Sequence, residues 1–136
     1  MKNIRYFAIA LVVLMITAVP TFAQVTSVKV DVPFEFQVGN RILPAGQYAL
    51  TQSAGSALIL ENTSGKGSAV APTQATGGNA NSQQPHLTFH RYGEKYFLTE
   101  AWLRYSDTGR RLPASPAEIE SARAVVHTGT VIVAMK

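Results

Sequence analysis

From Val28 to Val38 the chain reads VKVDVPFEFQV. Every even position is apolar, and the odd positions carry Lys29, Asp31, Pro33, Glu35 and Gln37. Successive side chains of an extended chain point to opposite faces, so this period of two describes a strand with one face on a core and the other in water. A helix would scatter the same residues around its circumference. Pro33 has no amide hydrogen to give a ladder, which predicts a break, a bulge or an edge at that point.

Reversals follow at short intervals. Gly39-Asn40 suits a tight turn, and Pro44-Ala45-Gly46 suits a type II turn or a near relative. Tyr48 and Leu50 alternate after it, Gly55-Ser56 marks the next reversal, and Ala57 to Asn62 reads as a short strand. The chain turns again at residues 64–67, and a weak strand is expected from Ser68 to Thr73. Thr76 to Pro85 (TGGNANSQQP) is polar and low in complexity and reads as an exposed flexible loop. Ser106 to Pro113 is rich in turn formers and reads as a second loop.

One helix is expected, over about 116–124, with Ser115 as N-cap, Pro116 in the first turn and Glu118 three residues after the cap. Thr130 to Met135 closes the chain as a strand. The sum is an all-β, mainly antiparallel fold: a small sandwich or barrel of about eight strands with one short C-terminal helix.

The start of the chain is of another kind. Lys2 and Arg5 precede an apolar run that Pro20 closes, and Thr21-Phe22-Ala23 offers small residues at a cleavage spacing. Residues 1–23 therefore read as a signal peptide, whose apolar run from Tyr6 to Val19 is too short for a spanning helix, and the exported form is expected to begin at Gln24 in the periplasm or outside the cell. The remaining 113 residues are of a length for one β-rich domain, 24–136, without a transmembrane segment. Ten basic residues then face eight acidic ones, a net charge too mild to predict nucleic-acid binding. There is no cysteine, so neither disulfides nor thiol chemistry enter.

His86 to Tyr105 (HLTFHRYGEKYFLTEAWLRY) is the densest chemistry in the sequence. Gly93-Glu94 predicts a two-residue hairpin in which Tyr92 opposes Lys95 and Phe89 opposes Leu98. Continued alternation would place Leu87, Phe89, Tyr96, Leu98 and Trp102 on the core face and His86, Thr88, His90, Phe97 and Thr99 on the other. With Phe34, Phe36 and Tyr48 these supply the expected core. The same alternation puts Glu100 on the core face, where a carboxylate needs a partner or a shifted pKa. Glu100, Arg91, Arg104, Arg110 and Arg111 are the candidate ligand-binding residues; an ion pair of Glu100 with an arginine is the plainer expectation.

No catalytic set emerges: there is no GxSxG elbow and no phosphate-cradling glycine motif. His86 and His90 are about 13 Å apart on a strand, too far to share one metal ion about 2 Å from each, and His127 has no acidic neighbour. No metal or cofactor is expected.

Three stretches together resemble a group of short, exported, uncharacterised proteins of Gram-negative-type bacteria. They are an LPAGxY turn (Leu43 to Tyr48), an F-x-RYG-x-x-YFL-x-x-x-W hairpin (Phe89 to Trp102), and a GR-x-LP-x-S helix start (Gly109 to Ser115). The resemblance implies export and brings no catalytic or ligand-binding residue with it. LPASPAEIE is less basic than the corresponding helix of that group, so it implies no anionic partner either.

The functional expectation is an exported, non-enzymatic β-domain with a binding or structural role in the cell envelope or outside, its partner unknown. The alternatives are a small-molecule or lipid carrier with a cavity lined by Phe34, Phe36, Tyr48 and Trp102, and a hydrolase built on Glu100. An outer-membrane barrel fits poorly with strands this short and with charges spread along them.

Overall fold

The computed structural model describes residues 27–53, 56–77, 84–103, 108–125 and 129–135. Residues 1–26, Arg104, His127 and most of the 76–85 segment lie outside the described residues.

The fold is all-β and antiparallel in nearly every pairing, with one short helix. Its elements are β1 (Val28–Val32), β2 (Phe36–Val38), β3 (Arg41–Leu43), β4 (Gly46–Gln52), β5 (Ala57–Asn62), β6 (Ser68–Pro72), β7 (Gln74–Gly77), β8 (His86–Tyr92), β9 (Lys95–Trp102), β10 (Thr108–Arg111), α1 (Pro116–Ala124) and β11 (Gly129–Ala134). One sheet has the order β1-β4-β5-β6. The other has the order β11-β8-β9-β10-β7, with β2 and β3 added where β2 pairs with β9. A bridge between Val30 and Met135 ties the two sheets along one seam, and Arg41 Nη1 donates to the Ser68 carbonyl across the other at 3.0 Å.

The strand count exceeds the sequence expectation of about eight because pairing, not pattern, makes several strands. The alternating run of Val28 to Val38 breaks at residues 33–35 around Pro33, giving β1 and β2. β10 forms in a segment that reads as a loop and β7 runs into the start of the other, and they pair with each other: Arg111 opposes Gln74 and Gly109 opposes Thr76. Neither has apolar alternation. The side chain of Arg110 fastens them by donating to Thr73 Oγ1 at 2.9 Å and to the Ser56 and Thr73 carbonyls.

The inner faces of both sheets interlock in one cluster that includes Val30, Val32, Phe36, Leu43, Tyr48, Leu50, Leu58, Leu60, Leu87 and Phe89, all essentially inaccessible. Phe36 meets Tyr48 and Phe89 edge to face at 5.2 and 5.4 Å. This geometry sets the positive ring edge against a negative ring face. Phe34 and Tyr96, stacked at 4.0 Å, pack against this cluster but stay partly exposed. The buried Tyr48 hydroxyl donates to the Pro44 carbonyl, so the last residue of the LPAGxY turn holds its second in place.

One core assignment is overturned. Trp102 is half-buried and outside the core cluster. The β8–β9 register runs as expected from Tyr92–Lys95 to Phe89–Leu98, but Thr88 then opposes Glu100 rather than Thr99. Thr99 is an extra residue, a β-bulge, and beyond it the faces exchange. Ala101 takes the buried position opposite Leu87, while Glu100 and Trp102 turn outward beside Thr88 and His86. The bulge is well held: Thr99 Oγ1 donates to the Thr88 carbonyl at 3.0 Å, and the Thr99 carbonyl accepts the Leu112 amide at 2.8 Å.

Candidate functional site

The outer face of the larger sheet carries most of the polar chemistry that the described residues gather. The register lines up Ile132, Thr88, Glu100, Arg111 and Gln74 across β11, β8, β9, β10 and β7. The next row holds Ala134, His86 and Trp102, with Gly109 and Thr76 continuing it on β10 and β7. Alternation on each strand puts both rows on one side of the sheet.

Glu100 is the hub of the first row. One carboxylate oxygen accepts from Arg111 Nε at 3.2 Å and Nη2 at 3.0 Å, and the other accepts from Trp102 Nε1 at 3.2 Å. The bulge therefore takes Glu100 out of the core-facing position expected from simple alternation and gives it an arginine partner at the surface. The Trp102 ring is fixed on a second side. Its five-membered and six-membered rings lie over Gly109, where a Cβ would come within 2.6–2.7 Å of three ring atoms. Glycine is the residue that admits so close an approach. The His86 ring lies nearly parallel to the indole, 18° off with centroids 6.1 Å apart.

At the other end α1 crosses the face. Ser115 caps it as expected, accepting the Glu118 amide at 3.2 Å. The Glu118 side chain does not stay at the surface. It is the one buried residue of the helix, and its Oε1 lies 3.2 Å from His90 Nδ1 and 3.5 Å from the Tyr92 hydroxyl. Burial, and then the negative charge and hydrogen bond of Glu118, push the Tyr92 phenol above its ordinary pKa of 10.0. Phe97, opposite His90, is buried on this same outer side without joining the core, with its ring edge-on to Tyr92 at 5.8 Å. Between α1 and the first row lies a cleft of about 440 Å³ lined by Thr88, His90, Glu100, Arg111, Leu112 to Ala114, Gln74 and Glu118.

The five ligand-binding candidates separate. Glu100 and Arg111 meet in the cleft. Arg110 points away from them and braces the Thr73–Ser56 corner. Arg91 folds back on its own hairpin, donating to the Gly93 carbonyl at 2.7 Å and lying over the Tyr96 ring. Arg104 lies outside the described residues. Sequence reasoning missed two members, His90 as a partner in the cleft and Glu118 as more than a cap. They are 28 residues apart, and no local pattern joins them. The available signal was an acid at the third position of a helix with almost no apolar face.

Chemically, the arrangement offers partnered carboxylates: Glu100 is ion-paired with Arg111, and Glu118 lies within hydrogen-bond distance of His90. Among the described residues no three His, Asp or Glu side chains gather as a metal site, and no helix is long and apolar enough to cross a membrane. Comparison of the chain with protein-family models, curated proteins and solved structures gives no match.

Proposed function

We propose that the protein is an exported, non-enzymatic β-domain that binds a partner or serves as a structural component in the cell envelope or outside the cell. The observation that carries this reading is the division of labour between inside and outside. The inside is occupied by interlocked side chains; where a carrier would need room, Phe36, Tyr48 and Phe89 meet edge to face. The outside holds a polar cleft, with Glu100 engaged by Arg111 and Trp102 and Glu118 engaged by His90. Carboxylates so engaged are suited to holding a shape for recognition; a hydrolytic acid needs a proton to give and a reacting atom within reach.

The residues of the three motifs support the same reading. Tyr48 ties the LPAGxY turn, Phe89 fills the core, Gly109 seats the tryptophan of the hairpin, and Ser115 caps the helix. All four act as scaffold. Membership of the exported group that these motifs mark is part of the proposal.

Fractionation of the producing cell with intact-mass analysis tests it. The expected outcome is a chain in the periplasm or medium whose mass begins at Gln24. A cytoplasmic chain retaining residues 1–23 would overturn the proposal.

A further inference from the structure

The outer face sets an aromatic row beside a row of planar hydrogen-bonding groups, and this pairing has a definite chemistry. The first row presents a carboxylate, a guanidinium and an amide, Glu100, Arg111 and Gln74, on adjacent strands. Each is flat and offers hydrogen-bond donors or acceptors at fixed spacing. The second row presents two near-parallel rings, His86 and Trp102. The indole is held from below by Gly109 and at its edge by Glu100, so little conformational freedom remains to be lost when something lies on it.

Charge narrows the choice of ligand. Glu100 and Arg111 cancel across 3.0 Å, and Glu118 faces His90 at 3.2 Å. A polyanion or polycation would have to break the Glu100–Arg111 pair to gain a counter-charge there, and an apolar ligand would strand these groups without water. A neutral ligand rich in hydroxyls does neither. Its hydroxyls can bridge the paired groups, and an aliphatic ring face can rest on the aromatic row. The cleft, about 440 Å³, is within the range of small-ligand sites.

From this geometry we infer that the outer face of the β11-β8-β9-β10-β7 sheet is a binding platform for a neutral glycan. Trp102 and His86 form the stacking shelf, and Glu100, Arg111 and Gln74 are the hydroxyl-reading groups. The inference names the ligand class of the binding domain proposed above and rests on that reading.

The test is an amide-resolved NMR titration of the chain beginning at Gln24 with two neutral hexasaccharides, cellohexaose and chitohexaose, and with heparin as a polyanionic comparison. The expected result is saturable shifts with at least one neutral sugar, confined to β7, β8, β9, β10 and the cleft side of α1. Trp102→Ala should weaken that binding about tenfold, the worth of one good aromatic contact. Arg111→Gln and Gln74→Ala, at exposed positions that leave the fold alone, should weaken it several-fold and keep the inference testable if the tryptophan variant unfolds. No response to either neutral sugar would overturn the inference. So would shifts centred on the other sheet, or a response to heparin alone that Arg111→Gln removes. An exported chain indifferent to both sugars would sink the glycan assignment only; a retained leader would sink the reading beneath it.

Discussion

Two groups of aromatic side chains serve this molecule in opposite ways. Phe36, Tyr48 and Phe89 sit between the sheets, edge to face and sealed from water. Trp102 and His86 lie near-parallel on the outside of a sheet, half covered. The larger indole is in the second group. Apolar bulk alone would assign it to the interior, since a ring of that size dominates the core of a small domain. What decides is strand parity: Phe89 lies on the hairpin side of the bulge, and Trp102 lies beyond it. Size states how much an aromatic can contribute by burial; register decides whether it is buried.

The contrast is sharpest in the cost of truncation. Phe89→Ala opens a cavity among residues that cannot close around it and should cost about 3–5 kcal/mol. Trp102→Ala removes a half-exposed ring and should cost about 1–2 kcal/mol. Denaturant melts of both variants check this, and equal losses would break the distinction between the two groups. Of intermediate size is Gly109→Val, expected to cost about 1–3 kcal/mol by driving the indole off its seat. The same substitution placed in a Trp102→Ala background should cost much less, and a double-mutant cycle measures the difference. If the cycle shows no coupling, the tryptophan is not seated on that glycine in solution.

The smallest expected effect concerns the α1 end of the outer face. Tyr92 has a folded pKa above its ordinary value of 10.0, because burial and Glu118 disfavour the phenolate. The folded state therefore holds its proton more firmly than the unfolded state. Its stabilising share is complete below that ordinary value and disappears as pH rises through the folded one. Stability followed from neutral pH into the alkaline range should fall more steeply in the parent than in Tyr92→Phe. Identical slopes would mean that Tyr92 is not near Glu118.

How much of this was legible in the sequence follows from the range over which each signal acts. The break at Pro33, the hairpin at Gly93-Glu94 and the helix from Pro116 to Ala124 were legible because each is set by residues within a few positions of one another. Gly93, for instance, has φ of 63°, as the expected turn requires. β7 and β10 were not legible, because neither has an apolar pattern of its own: β10 is held between β9 and β7, and β7 is held by β10. The Thr99 bulge was not legible either. Its supports are the Thr88 carbonyl from β8 and the Leu112 amide from beyond β10, and neither is near it in sequence. The candidate site inherits that limit. Glu100 and Arg111 were named but not as a pair on the outer face, and the Glu118–His90 contact spans two elements whose meeting no local pattern announces.

Thr99 also bears on which changes of chain length this fold tolerates. A substitution there alters one side chain. A deletion there removes only the extra residue and leaves Thr88 opposite Glu100 and Leu87 opposite Ala101, whereas one residue inserted after it shifts the frame of everything that follows on β9: Glu100 and Trp102 would be presented to the interior, and Ala101 to water. The adjoining strand is keyed to that frame as well, since Gly109 is bare only because a ring must lie over it. In a lineage of such chains, β9 should therefore accept replacement at many positions, loss of a residue at Thr99, and gain of one at almost none.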